Sequence, residues 1–228
     1  MIKAIVMGVG GKMGTRIANW LVATEGISLA AAAEVKGHPA VGKDVGEVIG
    51  RGKLGVLVED DLEKIIDQGD VVIDFTHHQA TIMAMELAAA KDKAMVIGTT
   101  GFTADEMEKI RDLARLIPCV LAPNMSVGVN VMFKVLRDVA RILGSDYDIE
   151  IVEAHHNTKK DAPSGTAVKM AQIIADELNR DLGKEAVYTR KGMVGERTRT
   201  EIGMQTIRGG DIVGEHNVMF VTSGERLE

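Results

Sequence analysis

The stretch Glu153-Ala154-His155-His156-Asn157-Thr158-Lys159-Lys160-Asp161-Ala162-Pro163-Ser164-Gly165-Thr166 crowds chemically capable side chains into one short segment. A histidine titrates near neutrality and can move a proton. Two adjacent histidines in extended chain point to opposite sides, so His155 and His156 do not duplicate one role. Lys159 adds either a fixed positive charge or an acid. Ser164-Gly165-Thr166 stands before an apolar helical pattern, where hydroxyls and free amides make an anion site. The combination suits a small dianionic substrate beside a proton donor. The bland alternative is a solvated polar loop. A zinc site is disfavoured, because no third ligand stands at zinc spacing and Cys119 lies in an apolar run.

A second constellation opens the chain. Gly8-Val9-Gly10-Gly11-Lys12-Met13-Gly14 follows the apolar run Ile2–Met7 and leads into a helical pattern. Gly8 permits a tight turn, Gly10 and Gly11 allow backbone to approach a pyrophosphate, and Gly14 allows a helix to pack on a strand. A lone glycine pattern is weak, but the strand-loop-helix context raises it. Glu34 follows the next apolar run, twenty residues after Gly14. There an acid binds the ribose hydroxyls of NAD(H) and repels a 2′-phosphate, while Lys36 attracts one. Cofactor choice between NADH and NADPH therefore stays open. Two further loops sit after strand-like runs, Gly98-Thr99-Thr100-Gly101 and Ala122-Pro123-Asn124-Met125-Ser126, and suit contact with a nicotinamide ribose and carboxamide. Asp74-Phe75-Thr76 ends another run and can line the adenosine side. Singly, each is only a turn.

The elements that carry these residues follow from periodicity. Strand-like runs lie at residues 2–7, 28–33, 55–58, 71–75, 94–97 and 119–122. Helical patterns lie at 12–24, 79–91 and 104–116, with a shorter one at 60–68. Several of the runs are continuously apolar, which means a parallel sheet covered on both faces. Thr103 with Glu106 forms a capping box. Residues 34–52 read as a loop. After about Pro123 the regular alternation stops. Helices are expected at 130–143 and 165–182, and strands at 149–154, 186–189, 200–208 and 218–222. The reading is α/β, a Rossmann-like parallel sheet over residues 1–126, with a second α+β substrate domain over residues 127–228.

Composition narrows the function class. The chain has 228 residues, enough for two modest domains with real cores. Its net charge of −6 argues against a nucleic-acid partner. No apolar stretch approaches membrane-spanning length, and no leader precedes the first strand, so neither a membrane partner nor secretion is expected. The single cysteine, Cys119, reads as a buried small hydrophobe and fits a reducing compartment, which makes the expected location cytoplasmic.

These motifs together resemble the 4-hydroxy-tetrahydrodipicolinate reductase (dihydrodipicolinate reductase) family. The resemblance rests on residues 153–166, on the Gly8 loop, on Asp74-Phe75-Thr76, on Gly98-Thr99-Thr100-Gly101, on residues 122–130, and on Arg208-Gly209-Gly210-Asp211-Ile212-Val213-Gly214-Glu215-His216. It spans essentially the whole chain. It implies hydride transfer from NADH or NADPH to a cyclic dicarboxylate with loss of water, in lysine and diaminopimelate biosynthesis, by a homotetramer built through the second domain's sheet. It implies His155 as proton donor or acceptor, Lys159 as proton donor, and His156, Gly165 and Thr166 as substrate ligands. It implies cofactor contacts from Gly8, Val9, Gly10, Gly11, Lys12, Met13, Glu34, Gly98, Thr99, Thr100, Ala122, Pro123, Asn124 and Met125, and no metal. Family members commonly continue past Gly224-Glu225-Arg226-Leu227-Glu228 with a helix returning to the first domain, so the chain reads as a short or truncated member. Domain closure is expected about hinges near residues 123–129 and in the carboxyl-terminal segment. The rivals are a dehydrogenase of another small acid, or a catalytically silent nucleotide sensor. The His-His-x-x-Lys and Ser-Gly-Thr arrangement speaks against both.

Overall fold

The computed structural model describes residues 1–228, which divide into two compact units, Met1–Pro123 and Asn124–Glu228.

The first unit runs β1 (Ile2–Met7), α1 (Lys12–Ala23), β2 (Ile27–Ala33), α2 (Val45–Val48), β3 (Val58–Glu59), β4 (Val71–Asp74), α3 (His78–Ala90), β5 (Ala94–Ile97), α4 (Ala104–Leu113) and β6 (Cys119–Leu121). The strands form one parallel sheet in the order β3-β2-β1-β4-β5-β6. This is the Rossmann order, and its direction reverses between β1 and β4. The central strands are apolar on both faces because two separate cores cover them. Ala4, Val6, Ala18 and Val45 belong to one, and Ile5, Val72, Met85 and Ile97 to the other. The Thr103–Glu106 capping box starts α4 as the sequence indicates.

Four local expectations change. The run at 55–58 contributes only the two-residue β3 at the sheet edge. The segment at 60–68 forms two short 3₁₀ turns, Leu62–Lys64 and Ile66–Gln68, the first capped by Asp61. Within the expected loop at 34–52, the buried Asp44 caps α2 and also accepts the amides of Leu54 and Gly55. Cys119 is half-buried rather than buried, because β6 is an edge strand; partial burial still pushes its thiol pKa up.

The second unit runs α5 (Val127–Leu143), β7 (Asp148–His155), α6 (Gly165–Glu177), α7 (Leu182–Glu185), β8 (Ala186–Val187), β9 (Ile202–Arg208), β10 (Glu215–Thr222) and β11 (Glu225–Leu227). Its mixed sheet has the order β11-β10-β7-β9-β8. Helices α5 and α6 cover one face, where Phe133, Leu136, Met170 and Ile174 pack on Ile149, Ile151, Ile202 and Phe220. The helix expected over 165–182 stops at Glu177, and Asn179 adopts the left-handed conformation that ends it. β10 begins three residues earlier than its alternation suggests, and β11 pairs with it as a hairpin.

Candidate active site

In the second unit the decisive geometry gathers at the carboxyl end of β7. Glu153 and His155 lie two apart on this strand, so they share one face. Here that face turns inward: Glu153 is 1% exposed and His155 9% exposed. Register sets Glu153 between Thr206 on β9 and His216 on β10, and His155 opposite Arg208. The Glu153 carboxylate accepts hydrogen bonds from both terminal nitrogens of Arg208, each at 2.8 Å, and from the backbone amide of Ser164 at 2.9 Å. Thr206 Oγ1 adds a longer one at 3.2 Å, and His155 Nδ1 stands 2.6 Å away. Burial pushes the Glu153 pKa up, but the bonds from Arg208, His155 and Ser164 outweigh it and hold the group at about 2. Glu153 is therefore an anion throughout the physiological range.

This arrangement uses Nδ1 of His155 for orientation and leaves Nε2 for chemistry. A side chain at Gly214 would stand 3.0 Å from that nitrogen, so the glycine keeps the space over it clear. The ring of His216 meets the His155 ring edge-on at 5.2 Å, and its Nε2 lies 3.0 Å from Ser164 Oγ. Burial lowers the His216 pKa, and the charges of His155 and Lys159 lower it further. His216 is thus neutral near pH 7, and suited to a hydrogen-bonding rather than a charged role.

His155 and His156 do face opposite ways: His156 sits at the surface side, with Nδ1 2.7 Å from Thr158 Oγ1. Lys159 Nζ donates to Asp161 Oδ1 at 2.8 Å. Burial raises the Asp161 pKa, and the Lys159 bond more than offsets it. At the start of α6, the Ser164 hydroxyl takes the Ala167 amide. The first-turn amides of Gly165 and Thr166 are left without a protein partner, as helix geometry requires. Thr166 Oγ1 also receives a long hydrogen bond, 3.4 Å, from the Asn124 side chain. The end of β7 and the loop that follows it therefore bring together a histidine with an unbonded Nε2, an ammonium and a helix start with two open amides.

In the first unit the glycine loop is built as expected, with one refinement. Gly8 has a φ of +66°, and a side chain on Gly14 would stand 2.0 Å from the Gly8 carbonyl oxygen, so both positions exclude a Cβ. Val9 is wholly buried, so only its backbone lines the loop. The amides of Gly8 and Val9 donate to the Ala33 carbonyl, that of Gly10 to Glu34 Oε2, and that of Gly11 to the Gly8 carbonyl. The donors left for a phosphate are those of Lys12, Met13 and Gly14, in the first turn of α1. Glu34 holds the loop with one oxygen and caps the Val35 amide with the other, at 2.9 Å.

Thr99 ties the neighbouring loops together, its Oγ1 accepting the Thr76 amide at 2.9 Å, while Thr76 Oγ1 donates to Asp74. Gly98 packs against the Phe75 ring and Thr100 is exposed. A cavity of about 730 Å³ opens beside Gly8 and Thr76, with Glu34 and Lys36 at one side and Met83 and Leu87 at another. It lies where strand order reverses, the place where open α/β sheets take ligands. Ala122 and Pro123 follow β6, and Met125 lies beyond them in the second unit. No three His, Cys, Asp or Glu side chains converge as a metal cluster would need.

The comparisons with known proteins agree across both units. The family description "Dihydrodipicolinate reductase, N-terminus" matches residues 2–125, and "Dihydrodipicolinate reductase, C-terminus" matches residues 128–228. The chain belongs to the dihydrodipicolinate reductase family. A 4-hydroxy-tetrahydrodipicolinate reductase from Syntrophus aciditrophicus is 58% identical over 228 residues, covering all of this chain and 85% of its own length. One from Syntrophobacter fumaroxidans is 53% identical with the same coverage. Among solved structures, a dipicolinate-bound dihydrodipicolinate reductase from Paenisporosarcina sp. TG-14 superposes with a TM-score of 0.70 at 26% identity, covering 100% of this chain and 86% of that one. A Lactobacillus casei myo-inositol dehydrogenase, at 13% identity and a TM-score of 0.64, shares the fold alone.

Within this family member, motif reading alone left Glu153, Arg208, Gly214 and His216 without roles. For Glu153 a signal existed: a carboxylate two residues before a histidine, inside an apolar strand, shares the histidine's face. Arg208, Gly214 and His216 stand in the stretch 208–216 on which the resemblance rests, but only strand register assigns them places, beside residues more than fifty positions away.

Proposed function

We propose that this chain reduces 4-hydroxy-tetrahydrodipicolinate to tetrahydrodipicolinate with loss of water, using NADH or NADPH, in lysine and diaminopimelate biosynthesis. The observation that carries the reading is His155, with Nδ1 held by a buried carboxylate, four residues from an ammonium and just before an open helix start.

The residues present fit a dinucleotide. A Cβ at Gly8 would strike Thr76 and one at Gly14 would strike the Gly8 backbone, so the loop packs closely on the start of α1, and the amides of Lys12, Met13 and Gly14 stand open for its phosphates. Glu34 and Lys36 line the same cavity, which supports the reading of Glu34 on the ribose hydroxyls and of Lys36 beside a 2′-phosphate. Thr99, Thr100, Ala122, Pro123, Asn124 and Met125 complete the nicotinamide side of the reading. When bound, the cofactor supplies hydride to the substrate ring.

The protein's part is binding and proton delivery. The amides of Gly165 and Thr166, the Thr166 hydroxyl and His156 hold the two carboxylates. Donors already oriented lose little entropy on binding. Lys159 exchanges its Asp161 partner for the anionic substrate. Nε2 of His155 and Nζ of Lys159 carry the proton that quenches charge developing in the ring. A planar ring dicarboxylate bound to the Paenisporosarcina relative is consistent with such a pocket.

The reading includes a homotetramer. One sheet face of the second unit is covered by α5 and α6; the other presents Val152, Met219 and Ile207, the last 50% exposed. It also includes a cytoplasmic site of action, which a lone cysteine suits; no helix is long and apolar enough to cross a membrane.

Steady-state kinetics on the condensation product of pyruvate and aspartate semialdehyde, with each cofactor, test the proposal. Both should be used, NADH the better, and Glu34→Ala should narrow the gap. Failure to oxidise either cofactor would refute the function; a strong NADPH preference would refute the weight given to Glu34.

A further inference from the structure

Resting on the reading of His155 as the proton carrier, we infer that Glu153 and Arg208 form a positioning pair that sets the charge balance of His155 and fastens it to the substrate-binding helix start. The carboxylate makes the two connections at once. One oxygen, Oε2, faces His155 Nδ1 at 2.6 Å; the other, Oε1, accepts the Ser164 amide at 2.9 Å. Ser164 caps α6, whose first-turn amides are the anion donors. The proton-carrying ring and the helix start are thus fixed to one buried group, and their separation cannot drift independently.

Arg208 spans both oxygens, with NH1 on Oε2 and NH2 on Oε1, and NH2 also donates to the Asp161 carbonyl at 2.6 Å. This fork does two things. It keeps Glu153 ionised, so the carboxylate orients the imidazole without taking its proton. It also offsets part of the negative charge that would otherwise stabilise the imidazolium. Loss of Glu153 and loss of Arg208 therefore change the charge beside the ring in opposite directions.

The groups facing His155 from the surrounding elements are few. Glu153 comes from β7, Arg208 from β9 and the neutral His216 from β10. Lys159 and Asp161 come from the loop before α6. Of these, Glu153 touches Nδ1 directly and Arg208 acts through Glu153. Neither reaches Nε2, where the proton moves, so both are positioning residues.

The test compares turnover and Michaelis constant across about pH 5 to 9, where histidine titrates, for wild type, Glu153→Gln, Arg208→Gln and His155→Asn. Glu153→Gln removes an anion beside the ring. Its turnover should fall about 10- to 100-fold, and the histidine step of the turnover profile should move down by about one pH unit. Arg208→Gln removes a cation, so the same step should move up. A merely structural role would lower stability and raise the Michaelis constant in both variants without opposed shifts. Circular dichroism and thermal unfolding check that each variant is folded, because the glycine loop belongs to the other unit. If His155→Asn is impaired but neither variant moves the step, the positioning pair is overturned while the His155 reading stands. If His155→Asn turns over normally, that reading falls and the pair with it.

Discussion

Removing the His155 imidazole separates chemistry from architecture. His155→Ala deletes one of several partners of Glu153. The bidentate Arg208 bonds, the Ser164 amide and Thr206 remain, so the carboxylate is not stranded. A hydrogen bond to a charged group contributes about 1.5–3 kcal/mol, and removing a ring that is 9% exposed leaves a small cavity. The expected loss of stability is thus about 2–4 kcal/mol, tolerable for a domain of ordinary stability. Turnover should fall far more than binding. A positioned proton-transfer group contributes roughly 100- to 10,000-fold, so His155→Ala should lose on the order of 100-fold in turnover, about 2.7 kcal/mol of barrier. Lys159→Ala should lose a similar factor in rate at less than about 1 kcal/mol in stability, because its exposed partner Asp161 is simply returned to water. The assay is steady-state NADH oxidation beside NADH titration and thermal unfolding. NADH affinity should be unchanged in both variants, since the glycine loop belongs to the other unit. Near-wild-type turnover in both would refute the reasoning and leave the loop a binding element only.

Further outcomes follow from the same contacts. Gly14→Ala, whose Cβ would stand 2.0 Å from backbone, should destabilise the first unit by about 1–3 kcal/mol or more and abolish NADH binding. Gly11→Val, with only the Gly8 carbonyl at 3.2 Å, should fold and bind NADH weakly; an unchanged titration would remove the loop from the site. The Glu153 carboxyl, lowered from 4.5 to about 2, contributes roughly 3 kcal/mol that is present above pH 4.5 and lost as pH falls toward 2. Acid unfolding followed by circular dichroism should therefore shift in Glu153→Gln, losing part of its steepness between these values. Light scattering in dilute solution should report about four chains; a stable, fully active monomer would refute the assembly.

Much of this molecule was legible in one dimension because the relevant physics is local. Continuous apolar runs ending in small residues specify buried parallel strands, and the glycine spacing of Gly8 to Gly14 specifies a turn that no side chain fits. The Thr103–Glu106 cap and the helix start at Ser164 are readable because capping partners lie within one turn. The alternation of Glu153 and His155 likewise assigns them one face of one strand. What sequence could not decide is everything that depends on register between distant strands. Pairing of β7 with β9 and β10 is what brings Arg208, Gly214 and His216 to His155. Residues 60–68 and Cys119 misled for a related reason: short segments and edge strands take their final state from neighbours, not from their own period. Even the glycine loop's free donors emerged only in three dimensions. Folding spends the amides of Gly8, Val9, Gly10 and Gly11 on Ala33, Glu34 and the loop itself, and leaves those of Lys12, Met13 and Gly14 open. Local propensity names the chemistry available to a chain, and long-range packing decides which atoms of it stay free to act.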